Sequence, residues 1–140
     1  MAQAVSDVEL RAAYCLGVAT AQLKSQKAEI ASERDPSTKP ILEEIGRSIA
    51  ERQKRFRDYL SVKGFTQDRN PENLRIALGR GSDDAPVCDR EAKLPVFKEC
   101  GSRCLARSND AKALFDCTAK CPSPDSCTRV KKCLEDFLPF

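Results

Sequence analysis

The sequence predicts an all-α protein made of a long N-terminal antiparallel helical hairpin and a disulfide-rich C-terminal helical hairpin. Three observations carry that prediction. Apolar residues recur at three-to-four spacing through two long segments, a proline-bearing stretch separates those segments, and eight cysteines include two mirrored Cys-x3-Cys pairs. Five or six helices are expected in all.

The first helix starts at Ser6-Asp7-Val8-Glu9, where the Ser6 hydroxyl can accept from the residue 9 amide and the Glu9 carboxylate can reach back, the reciprocal pattern of a capping box. Val8, Ala12, Cys15, Ala19, Leu23 and Ile30 then form one stripe, which places Cys15 toward a partner helix. Pro36 and Pro40 interrupt the pattern, because proline restricts the residue before it and cannot donate a helix hydrogen bond. A second helix carries Ile41, Leu42, Ile45, Ile49, Phe56, Tyr59 and Leu60 at helical period and ends near Gly64. Two helices of similar length joined by a short loop give the hairpin, over residues 6–63.

Asn70-Pro71 reads as a cap and first position of a short third helix through Leu74 and Leu78, closed by Gly79-Arg80-Gly81. Residues 81–86 read as an acidic, glycine-containing linker. The expected division is therefore an N-terminal unit over residues 1–80 and a cysteine-rich unit over residues 87–140, packed together.

Cys15, Cys88, Cys100, Cys104, Cys117, Cys121, Cys127 and Cys133 are an even set, seven of them at or after Cys88. The composition is poor in bulky apolar anchors, with no Trp, two Tyr and six Phe, so covalent cross-links would add support that a thin core lacks. Cys100 with Cys104, and Cys117 with Cys121, share a helix face at four-residue spacing. Their Cβ atoms would stand about 5–6 Å apart, beyond the reach of a disulfide, so each must bond across to another helix. Ser108-Asn109-Asp110 has turn composition, and folding there pairs Cys104 with Cys117 and Cys100 with Cys121. Cys88 and Cys133 are centred on the same point, which suggests an outer rung and leaves Cys15 to Cys127. The swapped arrangement, Cys15 with Cys133 and Cys88 with Cys127, stays open. Ser123-Pro124 starts a final short helix with Val130, Cys133, Leu134 and Phe137.

Between Cys100 and Cys121 the pattern resembles the twin Cys-x3-Cys hairpins of the small Tim chaperones and related coiled-coil-helix proteins. The resemblance implies a helical hairpin with outer and inner cysteines paired across it. It reaches no further along the chain and implies no chaperone function.

The cysteine density points to an oxidising compartment, periplasmic or secreted. Ala2-Gln3-Ala4 looks like the edge of a signal-peptide cleavage site, so Met1 is expected to stand where a leader was removed. No apolar stretch reaches the length of a transmembrane helix; the best, Ala12 to Ala21, is about half of it. A net charge of +3 is too mild for a specific nucleic-acid reader. With no His, mixed Cys/His zinc sites and Ser-His or Cys-His nucleophiles cannot be built. The carboxylate pairs Glu43-Glu44, Asp83-Asp84 and Glu135-Asp136 read as helix-end or linker residues, and three residues between cysteines is not the two of thiol oxidoreductases. No enzyme activity and no cofactor are expected.

The reading left by elimination is an exported protein-interaction module, inhibitor-like or chaperone-like, for an unknown protein partner. Two others compete. The thiolates could hold zinc or copper. Alternatively Arg47, Arg52, Lys54, Arg55 and Arg57, clustered beside Phe56 and Tyr59, could bind an anionic lipid surface or polyanion.

Overall fold

The computed structural model describes residues 5–66 and 68–139; Ala2-Gln3-Ala4, the expected cleavage edge, lies outside the described residues. The described chain is all-helical. Its helices are α1 (Asp7–Ser32), α2 (Lys39–Val62), α3 (Glu72–Ala92), α4 (Pro95–Arg107), α5 (Ala111–Thr118) and a single turn, α6 (Thr128–Lys131), flanked by 3-10 turns over residues 125–127 and 132–134.

Local chemistry sets the helix ends. At the start of α1, Ser6 accepts from the Glu9 amide and the Glu9 carboxylate accepts from the Ser6 amide, so both reciprocal capping bonds form. After α2 the chain turns at Gly64, whose φ of 88° is the only positive φ among the described residues. The Gly64 amide donates to Ser61 and the Phe65 amide to Leu60, each at 2.9 Å, which is a Schellman motif. Its hydrophobic pair, Leu60 and Phe65, is buried. Between α1 and α2, the Asp35 carboxylate accepts from the Ser37 amide and hydroxyl, and these bonds hold it below its ordinary pKa.

Helix α1 is the centre of the molecule. It packs on both α2 and α3, whereas those two make little direct contact. Gln26 donates to the Leu42 carbonyl and Gln53 to the Thr20 hydroxyl, so α2 runs back along α1. Helix α3 runs in the same direction as α1, since residues 10–15 line one groove with residues 73–80 and residues 21–29 line another with residues 85–93; between them Tyr14 bonds Asp84 and Gly17 sits against Leu78 and Ser82. Being packed on two sides explains why burial on α1 exceeds the single stripe expected from period alone. Ala13, Gly17 and Val18 are buried along with Ala12, Cys15 and Ala19, while Leu23 and Ile30 are only partly covered.

Helix α3 corrects the sequence reading. Residues 79–86, expected to end a short helix and form a linker, lie inside one continuous helix that carries Pro86. Tertiary packing favours continuity. Gly81 packs directly on the α1 backbone at Tyr14 and Val18, and Gly81 and Ala85 are buried. Pro86 removes one intrahelical bond, a loss that the tertiary packing of the α3 face outweighs. No break in the helix separates residues 1–80 from residues 87–140.

Helices α4 and α5 fold about Ser108-Asn109-Asp110, with the Asp110 carboxylate accepting from the Ala113 amide at 2.8 Å as the α5 cap. They seat on the first turns of α2, where Ile41, Cys104 and Leu114 are buried together. The expected final helix is instead a broken series of turns. These lie between α2 and α3 over α1, where Val130, Cys133 and Leu138 join the main core of Val18, Phe56, Tyr59 and Leu74. Phe137 stacks on Phe56 with ring centroids 5.7 Å apart.

Candidate functional site

All eight cysteines form disulfides and none is free. Cys100 bridges to Cys121 and Cys104 to Cys117, with Cα separations of 5.9 and 5.7 Å, the two rungs between α4 and α5. The outer pairing is corrected: Cys15 bonds Cys133 and Cys88 bonds Cys127, with Cα separations of 5.4 and 4.8 Å, in place of Cys88 with Cys133 and Cys15 with Cys127. A third rung would need the arm beyond α5 to continue as a straight helix. Instead α5 stops at Thr118, and Pro122 and Pro124 turn the chain so that Cys127 meets α3 first. Cys133, six residues later, then reaches α1. The C-terminal turns are thus stapled to two different helices.

The other residues singled out by sequence are dispersed. Lys54 pairs with Asp58 at 3.2 Å, Arg55 with Asp136 at 2.9 Å, and Arg47 is exposed. Arg57 lines a cleft with Leu60, Phe65 and Leu74. Arg52 is half-buried, donates to the Ser48 hydroxyl at 3.3 Å, and has no carboxylate partner among the described residues. Burial lowers its pKa. The five do not form one basic face.

At least one member of each carboxylate pair has a structural partner. Glu44 accepts from the Ala111 amide at the start of α5. Asp84 accepts from the Tyr14 hydroxyl at 2.7 Å; burial first, and this bond second, push the phenol well above its ordinary value of 10.0. Glu135 pairs with Arg11 at 2.9 Å, and Asp136 with Arg55.

A basic groove that sequence reading missed lies between α1, α3 and the C-terminal turns. It encloses about 440 Å³. Leu10, Ile76 and Ala77 supply an apolar floor, and Arg80, Arg129 and Lys132 stand around it. All three cations are exposed and have no carboxylate partner among the described residues. Arg11 at one end is committed elsewhere: it bonds Glu135 and the Lys132 carbonyl, and its guanidinium lies 4.0 Å from the Phe137 ring centre. Nothing in the spacing announced this groove, because Arg80 fell at the supposed end of the third helix and Arg129 and Lys132 come from the far end of the chain. An off-stripe apolar pair, Leu10 and Ile76, was the one available signal.

The sulfurs of Cys100, Cys104 and Cys121 lie within 4.8 Å of one another. A metal takes thiolates, and a disulfide sulfur carries no such charge, so this cluster offers ligands only after both bridges are reduced.

No protein-family model matches the chain, and no curated protein or solved structure is significantly similar to it. Among the described residues no helix is long and apolar enough to cross a membrane.

Proposed function

We propose that this is an exported, non-catalytic protein-binding module that takes an acidic segment of a partner protein in the groove between α1 and α3. The observation that carries the reading is the trio Arg80, Arg129 and Lys132 around an apolar floor, all exposed and none in an ion pair with a described carboxylate. Exposed like charges that line one groove outside any ion pair favour an anionic partner, and complementary charge speeds its encounter. Ile76, 48% exposed, offers an apolar anchor point beside them. Cross-linking makes the face rigid, which lowers the ordering cost of association. Four disulfides and the lack of a membrane-spanning helix among the described residues fit an oxidising compartment outside the cytoplasm.

A labelled synthetic peptide of glutamates around a single leucine tests this by fluorescence anisotropy. The oxidised protein should bind it, and the Arg80→Gln/Arg129→Gln double variant should bind about tenfold more weakly. Equal binding by the variant, or preference for phosphatidylglycerol vesicles over the peptide, would overturn the reading.

A second reading has one observation in its favour, the Cys100, Cys104 and Cys121 sulfur cluster. It requires the bridges open in the native protein. Alkylation of unreduced protein followed by intact-mass measurement decides: eight alkylated thiols support a metal-thiolate centre, and none removes it.

A further inference from the structure

Helix α1 floors a trough whose walls are α2 and α3, and the C-terminal turns fill only part of it. Their buried residues Val130 and Cys133 cover α1 around Cys15 and Val18. Beyond Leu134 the trough continues as a groove of about 570 Å³, a size usual for small-molecule sites. Ala21 forms its floor, Ile45 and Ile49 one wall and Ala85 the other, and Phe115 reaches over from α5. Phe115 and Leu134 are 37% and 59% exposed, so two large apolar side chains stand open on the same groove.

Arg52 is the polar feature inside. Both it and Gln22 line the groove and also a smaller cavity of about 130 Å³ behind it, so they stand where the two spaces meet. Gln22 hydrogen-bonds to no described residue through its side chain, and Arg52 has only the neutral Ser48 hydroxyl. The other charges of the lining are accounted for on the rim: Asp89 pairs with Lys93 at 3.2 Å, and Glu29 and Arg90 are exposed. Half-burying a guanidinium without a counter-charge is costly, and a planar carboxylate is the group that its fork matches best.

We infer that this groove binds a single-chain alkyl carboxylate, its head on Arg52 and Gln22 and its chain along Ile45, Ile49, Ala85 and Phe115. The charge complementarity is local: one half-buried cation without a counter-charge, beside the apolar side chains of the groove, selects one anionic head with one hydrocarbon tail. Arg52 acts here alone, not as part of a basic helix face, and this site is separate from the groove between α1 and α3.

Calorimetric titration of the oxidised full chain with laurate, below its micelle concentration, tests the assignment against dodecanol and dodecyltrimethylammonium. Laurate should bind at one site, with the alcohol about tenfold weaker and the cation not at all. Arg52→Gln should lose about tenfold for laurate and little for dodecanol, while Lys54→Gln, outside the groove, changes neither. Because Arg52 is half-buried, each variant is first checked for folding: its circular dichroism should match wild type and its melting midpoint should be no lower. If Arg52→Gln unfolds the chain, Phe115→Ser at the exposed rim takes its place, with laurate expected to weaken severalfold. Laurate binding unaltered by Arg52→Gln, equal binding of the alcohol, or laurate-induced amide shifts confined to residues outside the groove would overturn the inference.

Discussion

Gly17 of α1 and Gly81 of α3 lie where the two helices cross, each packed directly on the backbone of the other helix. A Cβ on Gly17 would run into the Leu78 carbonyl, and one on Gly81 into the Tyr14 carbonyl. The obstructing atoms are backbone, so neither helix can yield without moving as a whole. Ser82 adds a hydroxyl bond to the Gly17 carbonyl at 3.3 Å across the same contact.

Substituting either crossing glycine by alanine should therefore destabilise, by about 2–3 kcal/mol despite alanine's better helix propensity. Gly79 and Gly101 have open space where a Cβ would go, and alanine there should stabilise by roughly 0.5–1 kcal/mol. Denaturant melts of the four single variants check the opposite signs; a stabilised Gly17→Ala would contradict the close approach.

The disulfides should differ in value. Cys15–Cys133 closes a span of 118 residues and Cys104–Cys117 one of 13. Loop entropy assigns about 5 kcal/mol to the longer closure and about 3 kcal/mol to the shorter. Double Cys→Ser variants followed by thermal unfolding should show the larger loss for the first pair, and non-reducing peptide mapping of the wild type should recover Cys15 linked to Cys133.

Tyr14 links the α1–α3 contact to pH. Its folded pKa is raised above the ordinary 10.0, chiefly by burial and then by the bond to Asp84. A group with a raised folded value contributes its full stability below its unfolded pKa and loses that contribution as pH climbs from there toward the folded one, so stability should begin to fall above about pH 10. Absorbance titration at the phenolate band should show a tyrosine that resists ionisation until the protein unfolds. Tyr14→Phe should cost about 1–2 kcal/mol at neutral pH and flatten the alkaline decline.

The C-terminal segment is held by Phe137 on Phe56 and by Arg11 over the Phe137 ring while it pairs with Glu135. Phe137→Ala should cost about 2–3 kcal/mol through lost burial and stacking. Arg11→Gln should cost only about 1 kcal/mol, because the ion pair is largely exposed. Hydrogen exchange should report faster opening of residues 128–139 in both, with Phe137→Ala the larger.

The sequence by itself determined what depends on neighbours in the chain: the Ser6–Glu9 capping box, the proline break before α2, the glycine stop at Gly64, and the turn between the Cys-x3-Cys pairs. Each is an interaction over a few residues, and period and composition encode it. Tertiary structure decided the rest. Residues 79–86 became helix because Gly81 had α1 to rest against, a partner 64 positions away whose need for a bare backbone leaves no local mark. Cys127 and Cys133 exchanged partners because two prolines redirected the chain, and direction after a turn is set by the surface it lands on. Both grooves belong to that second class, since Arg129 and Arg80, or Arg52 and Phe115, come together only once α1 is packed on both sides.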